Sequence, residues 1–193
     1  MNPSFEEGDP PTGWSTYQVT RARAGDIVKA GNYSVHITNE EGKGGILRQL
    51  NPAPADEAGG RTFTFGAWVY ATVGDRVRLG IRDAAEEQEL KSYSAFHPGD
   101  GTWHWLTVTR TLRSNLSFWD VEIRIESGSQ VSVYADGAAL AESAVFEDGS
   151  FGTGAYSLNI TALKPGTSYK LRAFVQNDAG ITYGNTVTGT TLP

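Results

Sequence analysis

RTFTFGAWVYA, residues 61–71, alternates over its whole length. Phe63, Phe65, Ala67 and Val69 fall on one side, and Thr64, Gly66, Trp68 and Tyr70 on the other. Successive side chains of a strand point to opposite faces, so this is a central strand with one packed face. The other face carries Trp68 and Tyr70 where a merely solvated face would carry Thr, Lys and Glu. Either two cores lie back to back, or one core lies under a binding surface.

Working outward, the same alternation recurs about every ten residues. Gly31–Thr38 places Tyr33, Val35 and Ile37 opposite His36 and Thr38. Arg76–Arg82 places Val77, Leu79 and Ile81 opposite Arg78, Gly80 and Arg82. Trp103–Arg110 and Val121–Ile125 continue the pattern, as does Val131–Tyr134. Residues 2–6, with Gly13-Trp14 after them, read as a short first strand and a loop. Gly45–Leu50 reads as another strand, and the Pro/Gly-rich run 51–60 as a loop. Asp83–Leu90, DAAEEQEL, has helix chemistry, with Asp83 as cap and Glu86 completing a capping box. A solvated hairpin arm is the other reading of that stretch. Short strands joined by turn residues, with almost no helix, define an antiparallel β-sandwich.

Composition changes near Glu142, and the boundary is expected near residue 145. That gives a first domain over 1–145 and a small β segment over 146–193. Three strands are expected in the segment, at Tyr156–Ala162, Tyr169–Gln176 and Ile181–Thr188. So small a sheet cannot cover its own apolar face, formed by residues such as Leu158, Ile160, Leu171, Ala173 and Val175. Its cover comes from the first domain, from other copies or from strands of a longer chain; completion by other copies is the favoured reading, giving a homo-oligomer or larger assembly.

The 193 residues include no cysteine, which excludes disulfides, thiol nucleophiles and thiolate metal sites. The net charge of −6, with Lys and Arg interspersed among acids, argues against nucleic acid and anionic membrane as partners. No apolar run approaches the ~18 residues of a membrane span. MNPSFEEGDPPTGW lacks a basic segment followed by an apolar one, so no signal peptide is visible. Either the protein stays where it is made, or it leaves by lysis, or this is a piece of a longer secreted chain.

Residues 2–142 resemble carbohydrate-binding modules of the jelly-roll group, the family 4/9/22 type. The resemblance rests on Asn2-Pro-Ser-Phe-Glu6 with Gly13-Trp14, Gly31-Asn-Tyr-Ser-Val, the Gly60–Ala71 strand, Gly101-Thr-Trp103 and Val133-Tyr-Ala-Asp136-Gly-Ala-Ala-Leu140. Residues 153–192 are similar to the last half of a fibronectin type III domain. There, Leu163-x-Pro-Gly-Thr-x-Tyr169 matches a tyrosine corner. The expected fold is therefore all-β: a jelly-roll sandwich followed by a half fibronectin-like segment. Such modules occur in secreted glycan hydrolases and in bacteriophage virion proteins, so the resemblance implies an extracellular or virion-surface location. The resemblance implies a polysaccharide or cell-surface glycan as partner. The alternative it implies is a virion protein (capsid decoration, head fibre or tail) using the jelly roll as scaffold or adhesin.

The expected ligand-binding residues are His36, Trp68, Tyr70, Arg78, Trp105, Glu122 and Arg124, provided that their strands share a sheet. Sugars have apolar C–H faces that lie on aromatic rings, and hydroxyl rims that want Arg, Glu or His partners. Trp14, Trp103 and Trp119 stand next to turns and read as edge or loop packing. The resemblance also implies a structural Ca²⁺ bridging Glu6 and Asp136. Catalysis is not expected. The three histidines, His36, His97 and His104, lack nucleophile–base spacing. Glu122 and Glu126 on one strand stand roughly 13 Å apart, too far for a glycosidase pair.

Overall fold

The computed structural model describes the chain apart from Met1, Pro3, Glu87, residues 143–153, 158–159, 161–164, Thr167, 178–179 and Pro193. The chain divides into two compact units, Met1–Ser143 and Ala144–Pro193. Among the described residues no helix is long and apolar enough to cross a membrane.

The first unit contains β1 (Ser15–Tyr17), β2 (Val19–Ala24), β3 (Ser34–Asn39), β4 (Gly45–Leu50), a one-turn helix α1 (Ala55–Ala58), β5 (Thr62–Ala71), β6 (Val77–Ala85), β7 (Gln88–Tyr93), β8 (Trp103–Thr111), β9 (Phe118–Ile125) and β10 (Ser132–Glu142). They form two five-stranded antiparallel sheets. The front sheet has the order β1-β4-β9-β6-β7, and the back sheet β2-β3-β10-β5-β8. This is the β-sandwich that the alternation predicts, in the jelly-roll form that the resemblance implies. Phe65, Ala67 and Val69 of β5 have no exposed surface, and they face Leu79, Ile81, Val121 and Ile123 of the front sheet in one core. On its other side β5 carries a cross-strand hydroxyl pair, Thr64 with Thr109 at 2.8 Å.

Three expectations need correction, and one open alternative is decided. Of residues 2–6, the described Asn2, Ser4, Phe5 and Glu6 lie outside any strand. Phe5 and Asn2 plug the sandwich instead, with Phe5 fully buried against Trp14 at 5.3 Å and Trp14 Nε1 donating to the Asn2 carbonyl. Of the two readings of residues 83–90, the hairpin arm holds and the helix does not. These residues are the tip of the β6–β7 hairpin, turned at Glu86 with φ 48°. The cause is Asp83, whose carboxylate caps nothing local and instead bonds Arg110 and Arg113. The loop 51–60 contains the four-residue α1. Finally, Trp14 and Trp119 are core residues, 3% and 0% exposed, rather than edge packing.

The second unit contains β11 (Ser168–Asn177) and β12 (Gly180–Thr190), paired antiparallel with Leu171 opposite Val187. Of the expected strand at Tyr156–Ala162, the described residues Tyr156, Ser157 and Ile160 lie outside any strand, and the rest of it is outside the described residues. Leu171, Val175 and Val187 are 38%, 60% and 65% exposed.

Candidate functional site

The seven expected ligand residues do not share a sheet. Arg78 lies on β6, and Glu122 and Arg124 on β9, all on the outer face of the front sheet. His36 lies on β3, Trp68 and Tyr70 on β5, and Trp105 on β8, on the outer face of the back sheet. Alternation correctly assigned each residue to the non-core side of its strand. It could not tell the two outer faces of a sandwich apart, because both lie opposite the same core.

On the front face, the ladder lines up Ser15, Arg48, Glu122, Gly80 and Tyr93 as one row across all five strands. Gly80 makes the centre of that row. A Cβ there would stand 2.8 Å from Glu122 Cγ and 3.1 Å from Tyr93 Cε1, so the missing side chain is the space in which the phenol ring lies. Arg78 stacks its guanidinium 3.8 Å from the Tyr93 ring centroid and 4.6 Å from that of Phe96. Arg124, the cross-strand partner of Arg78, stands 5.6 Å from the Tyr93 ring centroid. A ring held between a strand and two guanidiniums is a rigid platform.

The charges around it are paired. Arg124 Nε donates to Glu122 Oε1 at 2.7 Å, and Arg78 Nε to Glu126 Oε1 at 2.9 Å. Arg82 forks onto Asp120 with Nε at 3.1 Å from Oδ2 and an Nη2 contact beside it, and reaches Glu89 at 2.9 Å. Arg48 Nη1 approaches Asp120 at 3.6 Å. Asp120 and Glu122 have no exposed surface although they stand on an outer face. Burial pulls the Arg82 and Arg124 guanidiniums down, but hydrogen bonds and charge from Asp120 and Glu122 outweigh it and hold both above their usual value. Burial pushes the Tyr93 phenol up. Desolvating ion pairs on a surface costs stability that apolar residues would not. Clusters of perturbed groups on one face are where function concentrates. Tyr93, Asp120, Arg48 and Gly80 were missed from the sequence. Tyr93 was lost because no strand was assigned after residues 83–90, whose reading stayed open between a helix and a hairpin arm. Its signal was the alternation Glu89, Lys91, Tyr93.

On the back face, six rings stand together. Trp68 and Trp105 lie 5.7 Å apart, Tyr70 and Trp103 5.8 Å, and Tyr70 and Tyr134 6.0 Å. His36 stacks on Tyr134 at 4.5 Å.

Two further clusters invite a metal. Glu6 Oε1 accepts the amides of Asn32 and Tyr33 at 2.9 and 3.0 Å. Asp136 Oδ2 accepts those of Lys29 and Ala30, both at 3.0 Å, and its Oδ1 accepts that of Gly137. Both acids thus clamp the segment 29–33, and Glu6 Oε2 is left out of those bonds. Burial pushes the Asp136 carboxyl up to about 6, the charge of Glu6 adding to it against three peptide N–H donors. Two close carboxylates, one of them buried, with oxygen lone pairs to spare, fit a hard cation. His97, Asp100 and His104 also converge, with ligand atoms within 4.8 Å. His97 does not fit. Its Nδ1 accepts the Gly99 amide at 2.9 Å, so its proton is on Nε2 and is donated to the Thr102 carbonyl at 3.0 Å. No lone pair remains for an ion. The cluster is a loop clamp, with His104 on Asp100 at 2.9 Å.

No protein-family model matches the chain, and no curated protein sequence does. Solved structures do. The C-terminal family 22 carbohydrate-binding module of Clostridium thermocellum Xyn10B is similar with a TM-score of 0.61 at 15% identity, over 75% of this chain and 93% of that one. The CBM22-1 xylan-binding domain of Paenibacillus barcinonensis Xyn10C follows at 0.60 and 14%, over 72% and 90%. The enzymatically active domain of bacteriophage CBA120 tailspike protein 4 matches at 0.51 and 14%, over 68% of this chain and 19% of that one. At these identities the likeness is one of fold: the first unit has the β-sandwich of the carbohydrate-binding modules.

Proposed function

We propose that the first unit is a non-catalytic glycan-binding module whose ligand lies across the outer face of the front sheet. The observation that carries this is Tyr93, laid over Gly80 and flanked by the guanidiniums of Arg78 and Arg124. A sugar ring lies against the Arg78–Tyr93 stack and the outer edge of the phenol, and its hydroxyls take the outward edges of Arg78, Arg124, Glu126 and Arg48. Because these groups are already fixed by one another, little side-chain entropy is lost when the ligand arrives. Every carboxylate on the face is bound to a guanidinium, which suits positioning rather than proton transfer. The xylan-binding neighbour makes a β-linked polysaccharide the first class to try. Calorimetry with xylohexaose tests the reading: saturable binding in the millimolar range or tighter is expected, and absence of heat with xylan, glucan, mannan and bacterial glycans contradicts it.

The phage tailspike neighbour favours a second reading, in which the sandwich serves a virion as scaffold or host-surface adhesin. The two readings are compatible, since an adhesin also holds glycans. Self-association through the second unit belongs to this reading, because Leu171, Val175 and Val187 stay exposed on its two-stranded sheet. The mass of the chain in solution should then exceed one copy, and a version ending at Glu142 should be a monomer. Equal, monomeric behaviour of both removes the association.

Glu6 and Asp136 are proposed to hold a structural Ca²⁺, joining the N-terminal plug to β10 and completing its shell with backbone carbonyls. An ion that binds only the folded form adds about 2.7 kcal/mol at a hundredfold excess over its Kd. EDTA should therefore lower the melting temperature, and added calcium should restore it. A melt unchanged by chelation removes the ion.

A further inference from the structure

We infer that the outer face of the back sheet is a second glycan-binding surface, independent of Tyr93 and its arginines. It rests on the same reading of the chain as a glycan binder, but on different residues. Trp105 is the key. A Cβ on Gly66 would stand 2.3 Å from Trp105 Cζ2 and 2.9 Å from Cε2, so the indole lies flat on β5 at the one position that has no side chain. One of its faces covers the strand and the other looks outward. This repeats, on the opposite side of the sandwich, the arrangement of Tyr93 over Gly80.

Around Trp105 the rings are ordered by the ladder. Trp103, Tyr70, Tyr134 and His36 are successive cross-strand partners over β8, β5, β10 and β3. At about 4.8 Å per strand that row is roughly 14 Å long, the scale of an oligosaccharide rather than one sugar. Trp105 and Trp68 begin a second, parallel row. Lys29 Nζ stands 4.3 Å over the Trp68 ring and brings a charged donor to it.

The composition of the face selects the occupant. The outward positions of its five strands hold rings, Thr, Ser, Ala, Gly and Asp136, and no Leu, Ile, Val, Met or Phe. A face made to pack on another protein layer gains most from aliphatic side chains and would carry them. Rings edged by hydroxyls, imidazole and amine match a sugar, which is apolar on its ring faces and polar around its rim. The face is spread over a sheet and leaves the ligand's other side open, so it suits a long chain lying along it. With both faces occupied, one copy of the protein would bridge two polysaccharide strands.

Tryptophan emission reads this face by itself. Trp14 and Trp119 are 3% and 0% exposed, and Trp68, Trp103 and Trp105 all stand on the back sheet. Xylohexaose and cellohexaose are titrated into the wild type and into Tyr93→Ala, in which the front face is disabled. A saturable emission change is expected in both. It should weaken at least tenfold in Trp105→Ala and in Trp105→Thr, which keeps a strand-forming residue, with the melting temperature checked for each. Calorimetry should count two sites in the wild type and one in each variant. A single site that Tyr93→Ala removes, with emission unmoved, overturns the second surface and leaves the first standing. Emission that moves while Tyr93→Ala binds as the wild type supports the second surface and removes the first. No sugar response in any protein overturns both. A change of mass in solution caused by Trp105→Ala, without loss of sugar response, overturns the inference in favour of a protein contact.

Discussion

Asp83→Ala should destabilise the first unit by about 3–5 kcal/mol, the cost of breaking a buried ion pair from one side. Asp83 follows Val77, Leu79 and Ile81 on the core side of β6, and it has no exposed surface. Arg110 occupies the matching position on β8, after Leu106 and Val108. The two meet across the end of the sandwich: Arg110 Nε donates to Asp83 Oδ2 at 2.9 Å, and Arg113 Nε to Oδ1 at 2.9 Å. Arg110 also reaches Ser92 on β7, and Arg113 the carbonyls of Asp83 and Gln88. One carboxylate therefore ties the front sheet to the back sheet and to the loop after β8. Alanine leaves two guanidiniums, with side chains 12% and 23% exposed, facing a partner that is gone. Urea unfolding measures the loss. A value under about 1 kcal/mol would mean that the pairs behave as solvent-screened surface bridges.

Gly80→Val should lower affinity for xylohexaose at least tenfold, about 1.4 kcal/mol, while the fold persists. The backbone at Gly80 is ordinary strand, and valine is a good strand former, so nothing in the main chain resists it. The new side chain instead occupies the place of the Tyr93 ring and presses on Glu122, since a Cβ alone would come within 2.8 Å of Glu122 Oε1. Tyr93 is lifted from the sheet, Arg124 loses its fixed partner, and the platform is dismantled without deleting any of its residues. Calorimetry, with circular dichroism as the check on folding, reads the result. Unchanged affinity would place the ligand elsewhere.

Much of the fold was legible. The two-residue period in 61–71, 76–82, 103–110 and 121–125 assigned the core side of each strand, and Phe65, Val69, Leu79 and Ile123 are indeed without exposed surface. What failed were contacts made over long sequence distance. DAAEEQEL carries a local helix signal, but Asp83 is used by Arg110 and Arg113, and the pairing of Ala84 with Glu89 closes a hairpin instead. Trp119 stands beside a turn, yet it packs on Phe63 at 4.7 Å and donates to the Ala53 carbonyl at 2.9 Å, from 66 residues away. Strands β1 and β2 escaped notice because STY and VTRARA contain only one apolar residue that the core takes up, Val19.

The site was legible by residue and not by surface. Glu122, Arg124 and Arg78 were recognised as outward, and so were Trp68, Tyr70, Trp105 and His36. Strand order decides which of them are neighbours, and β5 to β8 and β6 to β9 are pairings that no local pattern announces. Gly80 and Gly66 carry the rest of the information. Each is a gap in an alternating strand: the Trp105 indole lies over Gly66, and Glu122 and the edge of the Tyr93 ring close over Gly80.

Amide chemical-shift mapping with xylohexaose on the Trp105→Ala protein, which leaves only the front face for the ligand, tests the central claim most directly. The account predicts that the largest shifts gather at Gly80, Tyr93, Glu122 and Arg124, adjacent on β6, β7 and β9. Saturable binding with that cluster unmoved, or no shift at millimolar sugar, would contradict it.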